Sequence, residues 1–130
     1  MKFKLAEKET KQENVYEDPQ AIGTEQYHRM NAFIKNFVAT DGVAEMCKKL
    51  QCFWVMDIIV ASLRKIKGKD EFFVVKVTRN GKGGADFSIE DDNGKTYAAQ
   101  HIGYTDLKYD LKFYLSDDGE LWVALLPSEY

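Results

Sequence analysis

Residues 71–102, EFFVVKVTRNGKGGADFSIEDDNGKTYAAQHI, decide the fold that the sequence predicts. The segment opens with β-forming side chains at 72–77. It then alternates apolar and polar side chains over 85–90, which is typical of a strand with one buried and one solvated face. Asn93-Gly94 favours a hairpin, because both residues tolerate the positive φ angles of a type I′ turn. The segment therefore predicts three consecutive antiparallel strands.

The strand pattern continues after this segment. Residues 103–109 form a longer connection, apolar and polar side chains alternate over 111–115, and 117–119 are a turn signal. A last apolar run follows at 121–126. Short connections of this kind join antiparallel neighbours, so the second half of the chain predicts an antiparallel sheet of about five strands.

Helical patterns precede the strands. Apolar side chains recur at helical spacing over 27–38, although an extended stretch around 33–38 fits the same residues. Thr40-Asp41-Gly42 predicts a helix start, because a side-chain oxygen there can accept the first free backbone N–H groups. Residues 51–66 are apolar on nearly every side, which is typical of a central buried helix.

Together these patterns predict an α+β fold, with two or three N-terminal helices packed on one face of an antiparallel sheet of about five strands. The chain has 130 residues, of which 45% are apolar, and this suits one domain. We expect residues 1–21, which are rich in Lys, Glu and Gln, to form a flexible polar tail. Residues 22–130 are predicted to form the single α+β domain.

The charge distribution disfavours a nucleic-acid binder. The formal net charge is −3, and residues 85–130 hold 10 acidic residues against 3 basic ones. We therefore expect one acidic face, a protein partner and no direct contact with nucleic acid. The N-terminus lacks the apolar core of a signal peptide, and the longest apolar stretch is too short to cross a membrane, so the expected location is the cytoplasm.

The sequence contains no recognisable cofactor or metal motif. The glycines at 81–84 lie between two predicted strands, whereas a phosphate-binding loop precedes a helix. His28 and His101 are the only histidines, too few for a convincing zinc site. Cys47 and Cys52 are five residues apart within predicted helical sequence, and we expect buried, reduced thiols. No cofactor and no metal ion are predicted.

A few polar side chains remain as candidates for chemistry or binding. The loop after the third predicted strand carries Tyr104, Thr105 and Asp106, which could bind a ligand or cap local backbone N–H groups. Asp57 lies in an apolar helix, so it either faces solvent or has a specific partner. The acidic run Glu90-Asp91-Asp92 is typical of a solvated turn. The candidates for catalysis are His28, His101, Asp57 and Asp106.

Six short motifs occur in order along the chain: Gly-Thr-Glu at 23–25, Thr-Asp-Gly-Val at 40–43, Phe-Trp-Val-Met-Asp at 53–57, Asp-Asn-Gly at 92–94, Tyr-Thr-Asp at 104–106 and Leu-Pro-Ser-Glu-Tyr at 126–130. This set resembles a family of small bacterial and phage proteins known only as a domain of unknown function. The chain departs from that family at 107–109, where the family has Phe-Pro-Leu, and at 92–94, where it has Asp-Gly-Asn.

The resemblance implies a bacterial, phage or mobile-element setting, and it implies no activity. Its polar positions in this chain are Thr24, Glu25, Tyr27, His28, Asp41, Asp57, Gln100, Tyr104, Thr105, Asp106, Ser128 and Glu129.

Two functions fit these observations. The first is a small non-enzymatic binding or accessory protein, such as an inhibitor of a host nuclease or defence complex, whose acidic face competes for a basic groove. The second is a small hydrolase or transferase that uses His28 or His101 with an Asp or Glu as acid and base. The candidate binding residues are Thr24, Glu25, Tyr27, Glu90, Asp91, Asp92, Gln100, Tyr104, Thr105 and Asp106.

Overall fold

The computed structural model describes residues 26–31 and 34–130. The predicted tail at 1–21 lies outside these residues. In chain order the elements are β1 (His28–Arg29), β2 (Phe37–Ala39), α1 (Asp41–Leu50), α2 (Phe53–Ile66), β3 (Phe72–Arg79), β4 (Ala85–Glu90), β5 (Thr96–Ile102), β6 (Leu111–Asp117), β7 (Trp122–Leu125) and a 3-10 turn (Pro127–Glu129).

The strands form one mixed sheet of seven strands in the order β1-β2-β7-β6-β3-β4-β5. All neighbours are antiparallel except β2 and β7, which are parallel. The predicted architecture was therefore wrong. The described residues contain two helices and seven strands in a mixed sheet, so strands dominate, and the expected helical layer on a five-stranded antiparallel sheet is not what forms.

The two additional strands come from the segment that was predicted as a first helix. Its described residues at 28–29 and 37–39 form β1 and β2. β2 overlaps the extended alternative around 33–38, whereas β1 lies where a helix was predicted. The Trp122 N–H donates to the Asn36 carbonyl at 2.8 Å, and the Thr40 N–H donates to the Ala124 carbonyl at 3.0 Å. These bonds satisfy the free edge of β7, and this long-range pairing overrides the local helical spacing.

The Thr40-Asp41-Gly42 start signal is confirmed. Thr40 is the N-cap of α1, and its hydroxyl accepts the Val43 N–H at 3.4 Å. At the other end of α1, Gln51 has a left-handed backbone (φ 54°), and the Cys52 N–H donates to the Cys47 carbonyl at 3.0 Å. This bond belongs to the Schellman pattern, in which the residue two past the helix end turns back onto the last turn.

The second helix is less buried than its sequence predicts. Its inner face, from Val55 to Ile66, has five buried residues, four of which belong to the apolar core, but Phe53 is 49% exposed and Asp57 is also exposed. The prediction of a helix buried all round was wrong, since one side of α2 faces outward. Neither helix in the described part of the chain has the length and apolarity that crossing a membrane requires.

A single apolar core joins the helices to the sheet. It contains buried side chains from α1, α2, six strands and three connecting segments, which are Phe37, Ala39, Val43, Met46, Cys47, Cys52, Val55, Met56, Ile59, Ile66, Phe73, Val75, Val77, Ala85, Phe87, Ile89, Ala98, Leu107, Leu111, Phe113, Leu115, Trp122, Ala124 and Leu126. Along β3, alternate residues are buried, as the period of a strand requires. The remaining side chains of β3 lie on the opposite face of the sheet.

Replacing Gln51 with glycine is expected to stabilise the protein. A left-handed backbone costs a residue with a side chain about 1 kcal/mol, and the Gln51 side chain is exposed. Glycine also gains freedom in the unfolded chain, which leaves a net gain of about 0.5 kcal/mol. Urea denaturation measures the change. Gln51→Ala keeps the strain and should show no gain; an unfolding midpoint for Gln51→Gly at or below that of the wild type contradicts this account.

Candidate functional site

The two histidines lie at opposite edges of the sheet. His28 is in β1 and His101 is in β5, so six inter-strand steps of roughly 4.8 Å separate their strands by about 30 Å. His28 Nε2 lies 2.8 Å from Asp41 Oδ1, and His101 Nδ1 lies 3.0 Å from Asp86 Oδ1. Each histidine thus pairs with a carboxylate other than the predicted Asp57 and Asp106, and the two do not share one site.

The other candidate carboxylates are also separated from the histidine pairs. Asp57 is exposed on α2, which corresponds to the solvent-facing alternative of its prediction. Asp106 is exposed in the loop after β5, next to Thr105. The Thr105 hydroxyl accepts the Leu107 N–H at 3.2 Å, so Thr105 has the turn-capping role that the sequence left open.

The loop after β5 packs against the turn between β3 and β4. The Thr105 N–H donates to the Gly83 carbonyl at 2.8 Å. A Cβ atom on Gly84 would overlap the Ile102 carbonyl oxygen, so only glycine permits this close approach. The contact positions Tyr104, whose side chain is 78% exposed, beside the end of β5.

The acidic run at the β4–β5 turn divides into three different environments. The Glu90 carboxylate lies 3.2 Å from Lys76 Nζ and accepts the Ser88 hydroxyl, whereas Asp92 is exposed. Asp91 is only 9% exposed. The expected solvated character therefore holds for Asp92 alone.

Asp91 builds the turn that the sequence attributed to Asn93-Gly94. Its Oδ1 accepts the backbone N–H groups of Asn93 and Lys95, each at 2.9 Å, and its Oδ2 accepts the Tyr97 hydroxyl at 3.3 Å. The predicted hairpin is confirmed, but the type I′ turn was wrong, because Gly94 has a positive φ (90°) and Asn93 does not. The Lys95 N–H, helped by the Asn93 N–H and the Tyr97 hydroxyl, holds the pKa of Asp91 below its ordinary 3.8, although burial opposes the shift.

Most of the predicted binding residues nevertheless meet along one side of the molecule. We call residues 85–106, which comprise β4, β5, the turn between them and the following loop, the acidic hairpin edge. This segment holds five carboxylates and one lysine. Three of the carboxylates are exposed, namely Asp86, Asp92 and Asp106, and Gln100 is exposed between them on β5. Tyr27 is 53% exposed near the opposite edge, and Thr24 and Glu25 lie outside the described residues.

A second polar cluster lies at the N-terminus of α1 and includes Asp41 and Glu129, two of the polar positions that the family resemblance implies. The Glu129 carboxylate accepts the Thr40 hydroxyl at 2.5 Å and the backbone N–H groups of Gly42 and Leu126, each at 2.9 Å. A Cβ atom on Gly42 would lie 2.7 Å from Glu129 Oε2, so a larger residue there would displace this carboxylate. A negative charge at this end of a helix is favourable, because free N–H groups point outward.

This cluster brings together parts of two sequence motifs and the residue His28. The Thr-Asp-Gly segment at 40–42 and the terminal segment at 126–130 are joined by Glu129, and Asp41 binds His28. The arrangement is a structural clamp on the chain end, because the acceptor sites of Glu129 are taken by internal donors. The motifs at 40–43 and 126–130 drew attention to these two segments. Their spacing in the sequence did not predict that the two segments contact each other.

Another acidic group surrounds an open cleft lined by Gly68, Asp70, Glu71, Asp117, Asp118 and Gly119. The Asp118 carboxylate accepts the N–H groups of Leu121 and Glu120, which lower its pKa, and Asp117 Oδ1 accepts the Gly119 N–H. These aspartates therefore shape the β6–β7 turn.

Within the described residues, no three His, Cys, Asp or Glu side chains are placed to hold one metal ion. Cys47 and Cys52 are free and fully buried, as predicted. Contact with the Cys52 thiol, together with burial, holds the pKa of Cys47 well above its usual range, so Cys47 stays protonated. The pair forms the apolar contact that commonly accompanies a Schellman helix end.

Removing the Glu129 carboxylate is expected to destabilise the fold strongly. Glu129→Ala leaves three donors without their acceptor, which costs about 2–4 kcal/mol. Glu129→Gln should lose less, because its amide oxygen still accepts two of the three bonds. Chemical denaturation measures both losses, and Glu120→Ala, at an exposed position, is the control. A loss for Glu129→Ala no larger than that for Glu120→Ala would show that the clamp does not matter for stability.

The Asp91 turn predicts a defined pH dependence. Because folding lowers the pKa of Asp91, its contribution is present above the ordinary pKa of 3.8 and is lost as the pH falls through the folded value. Asp91→Asn keeps an oxygen acceptor and removes the charge. The variant should be less stable than the wild type at pH 7, and the difference should shrink as acid is added. Thermal denaturation from pH 7 to pH 3 measures it, and a constant difference contradicts the assignment.

Comparison with known proteins places the chain in an uncharacterised group. The chain is similar to a protein of unknown function from Enterococcus faecalis, with a TM-score of 0.51 and 16% sequence identity over 81% of this chain and 98% of that one, a likeness that concerns the fold alone. None of the curated proteins with which the chain was compared matches it. The predicted resemblance to an uncharacterised family is confirmed, since a family of unknown function matches residues 14–130. The protein belongs to that family, DUF6876.

Proposed function

We propose that this protein is a small non-enzymatic binding protein of a bacterium, phage or mobile element, and that it contacts a basic protein partner through the acidic hairpin edge. The observation that carries the proposal is the exposure of Asp86, Asp92 and Asp106 along one sheet edge that holds a single lysine. Such a surface attracts a cationic partner and repels nucleic acid.

The positions of the histidines weigh against the alternative of a hydrolase or transferase. General acid–base chemistry needs both groups within hydrogen-bond reach of one reacting atom. His28 and His101 are on opposite edges, and each pairs with one carboxylate at the surface. Both histidine side chains are at least one-third exposed, so neither pair lies in a water-excluded pocket.

A nuclease or defence complex of a host is the partner class that fits this charge. Proteins of this kind bind phosphates through grooves rich in Lys and Arg. Carboxylates held on a rigid hairpin can occupy the positions of phosphates in such a groove. The hairpin is rigid here because Asp91 fixes its turn and the Thr105–Gly83 bond fixes its far end.

Capture experiments with charge variants test the proposal. The variant Asp86→Asn/Asp92→Asn/Asp106→Asn removes three exposed charges from the acidic hairpin edge while nearly preserving side-chain size. Glu45→Gln/Glu71→Gln/Glu120→Gln is the matched control, with the same change in net charge elsewhere. The immobilised wild type should retain a stoichiometric basic protein from a lysate of the source bacterium or its host, and raising the salt from about 0.05 to 0.5 M should weaken retention.

The edge variant should lose most of this capture, and the control variant should keep it. Equal capture by both variants would show that the partner binds to a surface other than the acidic hairpin edge. Absence of any retained protein at low salt would count against a binding function as a whole.

A further inference from the structure

We propose that the outer side of β5 receives a basic, extended segment of the partner as an additional strand of the sheet. This inference rests on the proposed function, because it specifies how the acidic hairpin edge binds. Strand addition uses the backbone hydrogen bonds of an open sheet edge for affinity and the adjacent side chains for selectivity.

The edge at β5 is long enough and open enough for this contact. β5 has seven residues and pairs on one side with β4, whereas none of the strands in residues 26–31 and 34–130 pairs with its other side. Ala99, Gln100 and His101 are exposed in succession. Successive side chains of a strand point to opposite faces, so three exposed residues in a row show that both faces of the sheet are uncovered at this end of β5.

This edge lacks the features that usually prevent strand addition. Proteins protect open edges with lysines, prolines or very short strands. The opposite edge follows that rule, since β1 has two residues. β5 contains no Pro, Lys or Arg over Thr96–Ile102, and small side chains, Ala98 and Ala99, occupy its centre. The register shift in the hairpin lies between Ile89 and Glu90, on the protected side of β5.

The charges beside β5 select a cationic segment. Asp86 lies on β4 opposite His101, with which it pairs at 3.0 Å, Asp92 is in the turn before β5, and Asp106 follows its end. Exposed carboxylates therefore lie beyond both ends of the open strand and on the strand beside it. A segment with Lys or Arg at alternate positions would place its cations on one face beside these groups. A second copy of this chain is the less favourable occupant, because it would bring two acidic hairpins together.

A peptide experiment distinguishes strand addition from simple charge attraction. The probe is a capped octapeptide of alternating valine and lysine. Its controls are the same peptide with glutamate in place of lysine, and the valine–lysine peptide N-methylated at every amide, which keeps the charges but removes the backbone donors. Titration calorimetry measures binding, and amide hydrogen exchange locates it on the full-length protein.

The valine–lysine peptide should bind and slow exchange selectively at Thr96–Ile102. The glutamate and N-methylated peptides should bind at least about tenfold more weakly, as should the valine–lysine peptide to the Asp86/Asp92/Asp106 variant. Equal binding of the N-methylated peptide, or protection outside β5, overturns strand addition and leaves the acidic contact intact. Self-association that protects β5 without peptide also overturns it. Failure of the proposed function differs from both, since then neither a partner nor any basic peptide binds.

Discussion

The parallel pairing of β2 with β7 sets the position of the start of α1 and of the segment that follows β7. Phe37 lies opposite Trp122 and Ala39 lies opposite Ala124, although more than eighty residues separate them along the chain. Because β2 runs directly into Thr40, this pairing places the start of α1 beside the segment that follows β7. Glu129 can then reach the free N–H groups of the helix, and the chain end closes over the same contact.

The parts of the fold that local sequence predicts are those whose partners are near in sequence. β3, β4 and β5 pair one after the other and β6 pairs with β7, and the alternation of apolar residues over 85–90 and 111–115 located β4 and β6. The pairing of β6 with β3 crosses over the sheet and did not follow from the local pattern. The α1 start was equally readable, since the Thr40 cap contacts Val43. β2 differs, because among the described residues the longer of its two neighbours is β7, far away along the chain, and helical spacing over 27–38 shows which residues are apolar but not which strand they pair with.

The candidate site shows the same division between local and distant contacts. Thr105 was open to a turn-capping interpretation because its partner, Leu107, is two residues away. Asp91 was placed in a solvated run, yet it is buried, since its role depends on how the backbone of 93–95 folds back around it. Glu129 could not be assigned from the sequence, because its acceptor role needs Thr40 and Gly42, which lie 87 or more residues away.

Acidic side chains at an open strand edge have two electrostatic effects. They repel a second copy of the chain, and they attract a cationic strand. An open edge without lysine or proline, such as β5, invites pairing with another strand, including that of a second copy of the chain, and most proteins prevent this with charged side chains or prolines. The carboxylates Asp86, Asp92 and Asp106 oppose self-pairing, because a second copy would bring an equal set of negative charges to the same edge. In the proposed strand addition, the same charges select a cationic strand. The negative charge beside β5 would then both oppose self-association and select the partner. A proline or lysine at this edge would prevent self-association too, but it would also exclude the partner.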